Sequence, residues 1–193
     1  TYGDWSSDVC SSDLIDRMIA RSDIGLFSRP NQLALEWISA ASLTGVVLFS
    51  EIDTTFGKTS GAAWDAMAAS AVTAEVAKLT FRRQRPRDGN DPTAWFEGRS
   101  NRSFPSGEVA HISAIVTPFI STYHREHPII WSLAAFPVYD AVARMKSQAH
   151  WQTDVLAGGI LGVGMGLYCQ REACPIHLSP MIHGVGLSWT GRF

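Results

Sequence analysis

The stretch ARMKSQAHWQTDVLAGGILGVGMGLYC, residues 143–169, joins a polar half loaded with reactive side chains to an apolar half, and its reading decides the fold. From Thr153 to Cys169 there is no proline, and glycines recur at the four-residue spacing of a helix face that another helix approaches closely. A helix is therefore expected over Thr153–Cys169. Working outward, Leu33–Ser50, Ala62–Phe81, Glu108–Tyr123 and Ile129–Met145 are similarly rich in Ala, Leu, Val and Ile, with breakers mostly between them. Convincing strand alternation is missing from all of these, so the expected fold class is all-α, a bundle of about five to six helices. The segment Met181–Phe193 is rich in Gly, Ser and aromatics and is expected as a short strand, a hairpin or an extended tail.

The 193 residues are 46% apolar and 18% charged, enough for one domain with a real core. The leader DWSSDVCSSDL, residues 4–14, is polar, repeats SSD and looks like the in-frame translation of a sequencing-library adapter. Residues 1–14 are accordingly set aside as an artefactual or disordered leader, and 15–193 is read as one domain whose native start is missing. Cys169 and Cys174 leave two readings open, a disulfide or two thiols, and a single nearby His177 is too little for zinc. A net charge of −2 gives no global pull toward nucleic acid, so an anion site has to be local. Glu36, Asp65, Glu75, Asp140 and Arg144 interrupt the apolar runs, and the expectation is a soluble or peripheral bundle rather than a set of membrane spans.

Three polar clusters sit between or at the ends of these helices. Lys78 and Arg85 are seven residues apart, which puts both cations on one face of a helix that Pro86 then ends. A long loop follows, QRPRDGNDPTAWFEGRSNRS (84–103), of a length that tends to be functional. It leads into SFPSGEVAHIS (103–113), where Pro105-Ser106-Gly107 offers closely spaced N–H groups at a helix start, a ready place for a phosphate. In the third cluster Arg144 precedes His150 by six residues and Asp154 follows it by four, so a helical turn puts a carboxylate beside the imidazole. That arrangement fixes the tautomer and leaves the other ring nitrogen a directed nucleophile or base.

Lys78-x6-Arg85-Pro86, then Pro105-Ser106-Gly107, then Arg144-x5-His150-x3-Asp154 resemble, in order and spacing, the three-part signature of the type 2 phosphatidic acid phosphatase (PAP2) superfamily. The resemblance runs from about Lys78 to Leu167 and implies a helical bundle of the acid phosphatase type. It also implies that Lys78, Arg85 and Arg144 neutralise phosphoryl oxygens while Ser106 and the Gly107 N–H donate further hydrogen bonds. His150 would attack phosphorus and form a phosphohistidine, oriented by Asp154, with no metal or other cofactor because cations of the protein carry the charge.

Two departures stand out. The family's second motif has a histidine, the general acid, where this chain has Glu108, and its third motif usually has a small hydroxyl residue before the arginine, where this chain has Ala143. Three readings of the acid step are open: Glu108 itself donates, His111 on the same helical face replaces it, or the site binds phosphate with little turnover except on good leaving groups. The implied partner is a phosphorylated small molecule or a lipid phosphate, with a membrane surface nearby. Trp95, Phe96 and Trp151 are read either as an apolar entrance for a lipid tail or as packing. By resemblance the site faces the periplasm or the outer leaflet. The rival readings are a degenerate phosphate or lipid-phosphate binder and, more distantly, a vanadate-holding haloperoxidase.

Overall fold

Five α-helices and a hairpin form the architecture of this computed structural model, which describes residues 25–51, 53–89, 91–171, 176–181 and 184–189. The helices are α1 (Arg29–Phe49), α2 (Thr55–Phe81), α3 (Gly107–Tyr123), α4 (Ala135–Lys146) and α5 (Gln152–Arg171). Three of the starts have a local cause. Pro30 occupies the first turn of α1, where its missing N–H costs nothing. Thr54 caps α2 by accepting the Gly57 N–H at 3.0 Å. At α5 the Asp154 carboxylate reaches back to the Trp151 N–H at 2.9 Å, half of a capping box.

The expected spans overlap these helices, although α1 begins four residues before Leu33 and α2 seven before Ala62, and two further corrections follow. Ile129–Met145 is a 3₁₀ segment, Pro128–Ala134, followed by α4. Pro137 lies in the first turn of α4 and has no N–H to give the Leu133 carbonyl, so an α ladder cannot run unbroken through it. The second correction is at Phe81, where α2 stops four residues before Arg85. Arg82 turns left-handed at φ 42°, and Lys78 and Arg85 therefore do not share a helical face. No glycine or proline marks the stop. Instead Phe81 gathers Trp95 and Phe104 at ring distances of 6.1 and 5.3 Å, and its carbonyl accepts the Phe96 N–H at 2.8 Å, so the returning loop displaces the next turn.

At the chain's end β1 (Ile176–Met181) pairs antiparallel with β2 (Gly184–Trp189), Ile176 opposite Trp189 and Met181 opposite Gly184. The expected hairpin thus begins five residues earlier than Met181. Cys169 is disulfide-bonded. Cys174, His177's side chain and the leader, residues 1–14, lie outside what the structure describes.

Helices α2, α3 and α5 pack as a trio built from small residues. Gly158 lies against the Ser106 carbonyl, Gly162 against the Ala110 carbonyl and Gly166 against Thr117, so α3 and α5 run in the same direction, almost backbone on backbone. A Thr59–Thr122 contact of 3.3 Å at one end and Lys78 beside Gly107 at the other set α2 antiparallel to α3. The C-terminus of α2 therefore meets the N-termini of α3 and α5. Both of those N-termini present free N–H groups and the positive ends of their dipoles to the same place.

Large apolar side chains are mostly on the outside: Val72, Val76 and Leu79 on α2, Leu156 and Ile160 on α5, Trp37, Ile38 and Phe49 on α1. Small residues inside with large ones outside is packing of the membrane-protein type. The sequence expectation that no helix is suited to a span needs amending for α1, which is long and apolar enough to cross a membrane despite Glu36.

Gly162→Val is expected to lower stability by at least ~1–3 kcal/mol, since the new side chain meets the Ala110 carbonyl and, at 2.9 Å, the Ala114 nitrogen. Gly164→Ala has open space and should be neutral or slightly stabilising. Thermal unfolding of the two side by side separates a close-packing requirement from a general intolerance of helix substitution.

Candidate functional site

The end of the bundle where α2, α3 and α5 meet brings the three polar clusters together. His150 precedes α5 and is buried; its Nδ1 lies 2.6 Å from the Ser103 carbonyl. A carbonyl only accepts, so Nδ1 carries the hydrogen and Nε2 presents its lone pair. Burial, and then the charges of Arg144, Arg85 and Lys78, hold the imidazole well below its ordinary pKa. A neutral, directed Nε2 at neutral pH is the result.

Asp154 does not touch that ring as the four-residue spacing suggests, because α5 starts only at Gln152 and His150 stands outside it. The carboxylate is 3.9 Å from Nδ1. It accepts instead from Ser103 Oγ at 2.5 Å, Arg83 Nη1 at 2.6 Å and the Trp151 N–H. Its hold on the imidazole is thus indirect, through Ser103, whose hydroxyl it binds and whose carbonyl receives Nδ1–H. Burial raises the Asp154 carboxyl, opposed chiefly by the Arg83 charge.

Arg83 is the residue that sequence reasoning missed. It is buried, donates to Thr153 Oγ1 at 2.6 Å and to the Pro92 carbonyl at 2.8 Å, and its guanidinium lies 4.4 Å from the Trp95 ring and 5.4 Å from that of Trp151. Trp95 and Trp151 accordingly flank a buried cation, and Trp151 Nε1 donates to the Gln84 carbonyl at 2.8 Å. Only Phe96 of the three aromatics is exposed.

The cations converge as follows. Lys78 Nζ pairs with Glu75 at 2.7 Å and stands so close to Gly107 that a methyl group there would come within 2.8 Å of it. Arg85 Nη2 lies 3.5 Å from the Arg102 carbonyl, and burial lowers its pKa, as it does for Arg144. Arg144 is buried at the end of α4 and donates to Gln32 Oε1 of α1 at 3.2 Å. Ser106 gives its N–H to the Asp154 carbonyl at 2.9 Å, while its hydroxyl is buried without a hydrogen-bond partner.

Glu108 leans into this group. Oε2 is 2.6 Å from Arg144 Nε, off the line of a hydrogen bond, and 3.9 Å from His150 Nε2. Oε1 accepts from Arg29 Nη1 at 2.8 Å. Arg29, at the start of α1, is a cation that the sequence pattern did not single out. His111, one turn along α3, instead faces Glu36 of α1 at 3.4 Å, at the edge of a groove of about 210 Å³ lined by Trp37, Met67 and Ile115.

Asp140, one turn before Arg144 on α4, is buried with Oδ2 unpartnered. Burial, and then the Glu108 charge, push it up to about 7. A carboxyl raised on folding binds its proton more tightly in the folded state, so its contribution to stability is complete below about pH 4 and is lost as the pH rises toward 7. Asp140→Asn should therefore be more stable than wild type at pH 8, by up to about 4 kcal/mol, and little different at pH 4. Unfolding curves of both proteins at the two pH values check this.

The PAP2 superfamily matches residues 63–172, a span that contains every cluster described above. No curated protein sequence matches the chain significantly. Among solved structures, Aquifex aeolicus LpxE aligns with a TM-score of 0.59 and 20% identity over 83% of this chain and 94% of that one, which is a likeness of fold. With its family match covering more than half of the sequence, and with that helical architecture, the chain belongs to the PAP2 superfamily.

Proposed function

We propose that this protein is a phosphatase that hydrolyses a phosphomonoester or diphosphate, of a lipid, through a phosphohistidine at His150. The observation that carries this is the neutral imidazole whose Nδ1–H is fixed on the Ser103 carbonyl, with three cations close enough to depress its basicity. As Nε2 bonds to phosphorus, the bond to the leaving oxygen breaks. Lys78, Arg85 and Arg144 take the equatorial charge, joined by the unpartnered Ser106 hydroxyl and the Gly107 N–H. Glu108 gives the leaving oxygen its proton, and takes one back from the water that then frees the histidine. Asp154 is a positioning residue that acts through Ser103.

The apolar exterior and α1 support a membrane-associated protein acting on lipid phosphate, with the groove beside His111 available to an acyl or prenyl chain. An extracytoplasmic site belongs to the same reading. One observation favours the alternative, a phosphate binder with little catalysis: the Glu108 carboxylate is already paired with two arginines in the cradle.

The test is phosphate release in the presence of chelator from a lipid phosphomonoester and a polyprenyl diphosphate, with acid-labile, base-stable labelling of the protein as the sign of phosphohistidine. Release without any label points to direct attack by water. No release from either substrate leaves the binding reading in possession.

A further inference from the structure

In the free protein the cradle already holds an anion, its own. Glu108 Oε2 is 2.6 Å from Arg144 Nε and 3.9 Å from His150 Nε2, within the space a phosphoryl group would need between that cation and the attacking nitrogen. Arg144 is buried and donates through Nη1 to Gln32, so its Nε side faces either Glu108 or a substrate, not both. The groups facing Glu108 are Arg29 from α1, Arg85 from the loop after α2, Arg144 and Asp140 from α4, and His150 from the segment before α5. Lys78 stands beside the preceding residue.

An incoming dianion takes Arg144 and sets two like charges next to the carboxylate. Like charges at contact distance, partly shielded from water, repel at a substantial cost. The carboxylate side chain is still partly open to solvent, so it can meet that cost by moving outward with Arg29 or by picking up a proton. A protonated Glu108 is also what the chemistry lacks, because a carboxylate clamped by two guanidiniums has no proton to give.

We infer that Glu108 is a resident anion of the cradle, exchanged for the phosphoryl group on binding, and that the exchange itself loads Glu108 with the proton later passed to the leaving oxygen. The proton comes from solvent, moves to a Glu108 oxygen as the substrate takes Arg144, and leaves on the alcohol or phosphate product. The last transfer rests on the phosphatase reading; the exchange does not, and it is measurable without turnover.

Tungstate is the probe, a tetrahedral dianion that carries no proton of its own at neutral pH. Titration calorimetry at pH 7 in buffers of different ionisation enthalpy counts protons taken up. Close to one proton per tungstate is expected for wild type and none for Glu108→Gln, which should also bind tungstate at least tenfold more tightly because no internal anion competes. Asp140 titrates in the same range, so the comparison is repeated in the Asp140→Asn background, where the difference should persist.

A second measurement needs only the wild type: its tungstate Kd should rise up to about tenfold per pH unit above neutrality, the slope of one coupled proton. No proton uptake, or a Glu108→Gln protein that folds normally and binds no more tightly, overturns the inference. If wild type turns over through His150 without proton uptake, this inference fails alone. If uptake is seen and no phosphohistidine forms, the phosphatase reading fails and the exchange stands.

Discussion

His150→Ala is expected to lower phosphate release by on the order of 10³-fold or more, while the protein folds and still binds tungstate. The size follows from what the substitution removes. In the proposed mechanism the other elements of the site stabilise charge that develops during transfer while His150 Nε2 offers the electron pair to phosphorus, so loss of that nucleophile would leave the remainder acting on water alone. Folding should be little affected, since the ring's one hydrogen bond is to the Ser103 carbonyl, which retains the neighbouring Asp154–Ser103 link. Assays of phosphate release and circular dichroism on the same preparation check both halves. Undiminished release from a folded His150→Ala protein would sink the proposed mechanism.

Arg83→Ala has the largest expected effect on stability, about 3–5 kcal/mol, the range for breaking a buried ion pair from one side. The loss is compounded. The buried Asp154 carboxyl loses the cation that chiefly opposes its desolvation, the Pro92 carbonyl loses its donor, and the Trp95 and Trp151 rings lose the cation between them. Arg83→Lys should recover only part, because an ammonium cannot fork between Asp154 and Pro92 as a guanidinium does. Thermal unfolding of the three proteins measures this. Activity should fall with stability, since Asp154 is tied to His150 through Ser103.

The helices were legible from apolar composition and the breakers between them, but the starts set by Pro30 and Thr54 were not read, and α1 and α2 begin four and seven residues before the expected Leu33 and Ala62. Gly107–Tyr123 differs from the expected Glu108–Tyr123 by one residue. The end of α2 at Phe81 agrees with the expected span, but the departure of Arg85 from the face of Lys78 was not legible, because Arg82 turns left-handed beside a cluster of Phe81 with Trp95 and Phe104, residues that arrive more than ten positions later. Arg83 hid for the same reason. Nothing in RRQRPR separates the one arginine that is buried from those around it until two tryptophans, 56 positions apart, close on it. For Asp154 a signal was present and was read in the wrong frame: its spacing from His150 suggests one helical turn, whereas its spacing from Trp151 is that of a capping box. Arg29 carries no motif of its own and is recognisable only from its partner, Glu108.

The glycine seam between α3 and α5 sets the dimensions of the cradle by main-chain contact: Ser106 rests on Gly158 and gives its N–H to Asp154, whatever side chain follows at position 108. The fold thereby keeps the size of the site separate from its charge. On the proposed function, a carboxylate, an amide or an imidazole at position 108 would change the charge of the cradle without refitting the frame around it, so that one letter would set the balance between holding phosphate and releasing it.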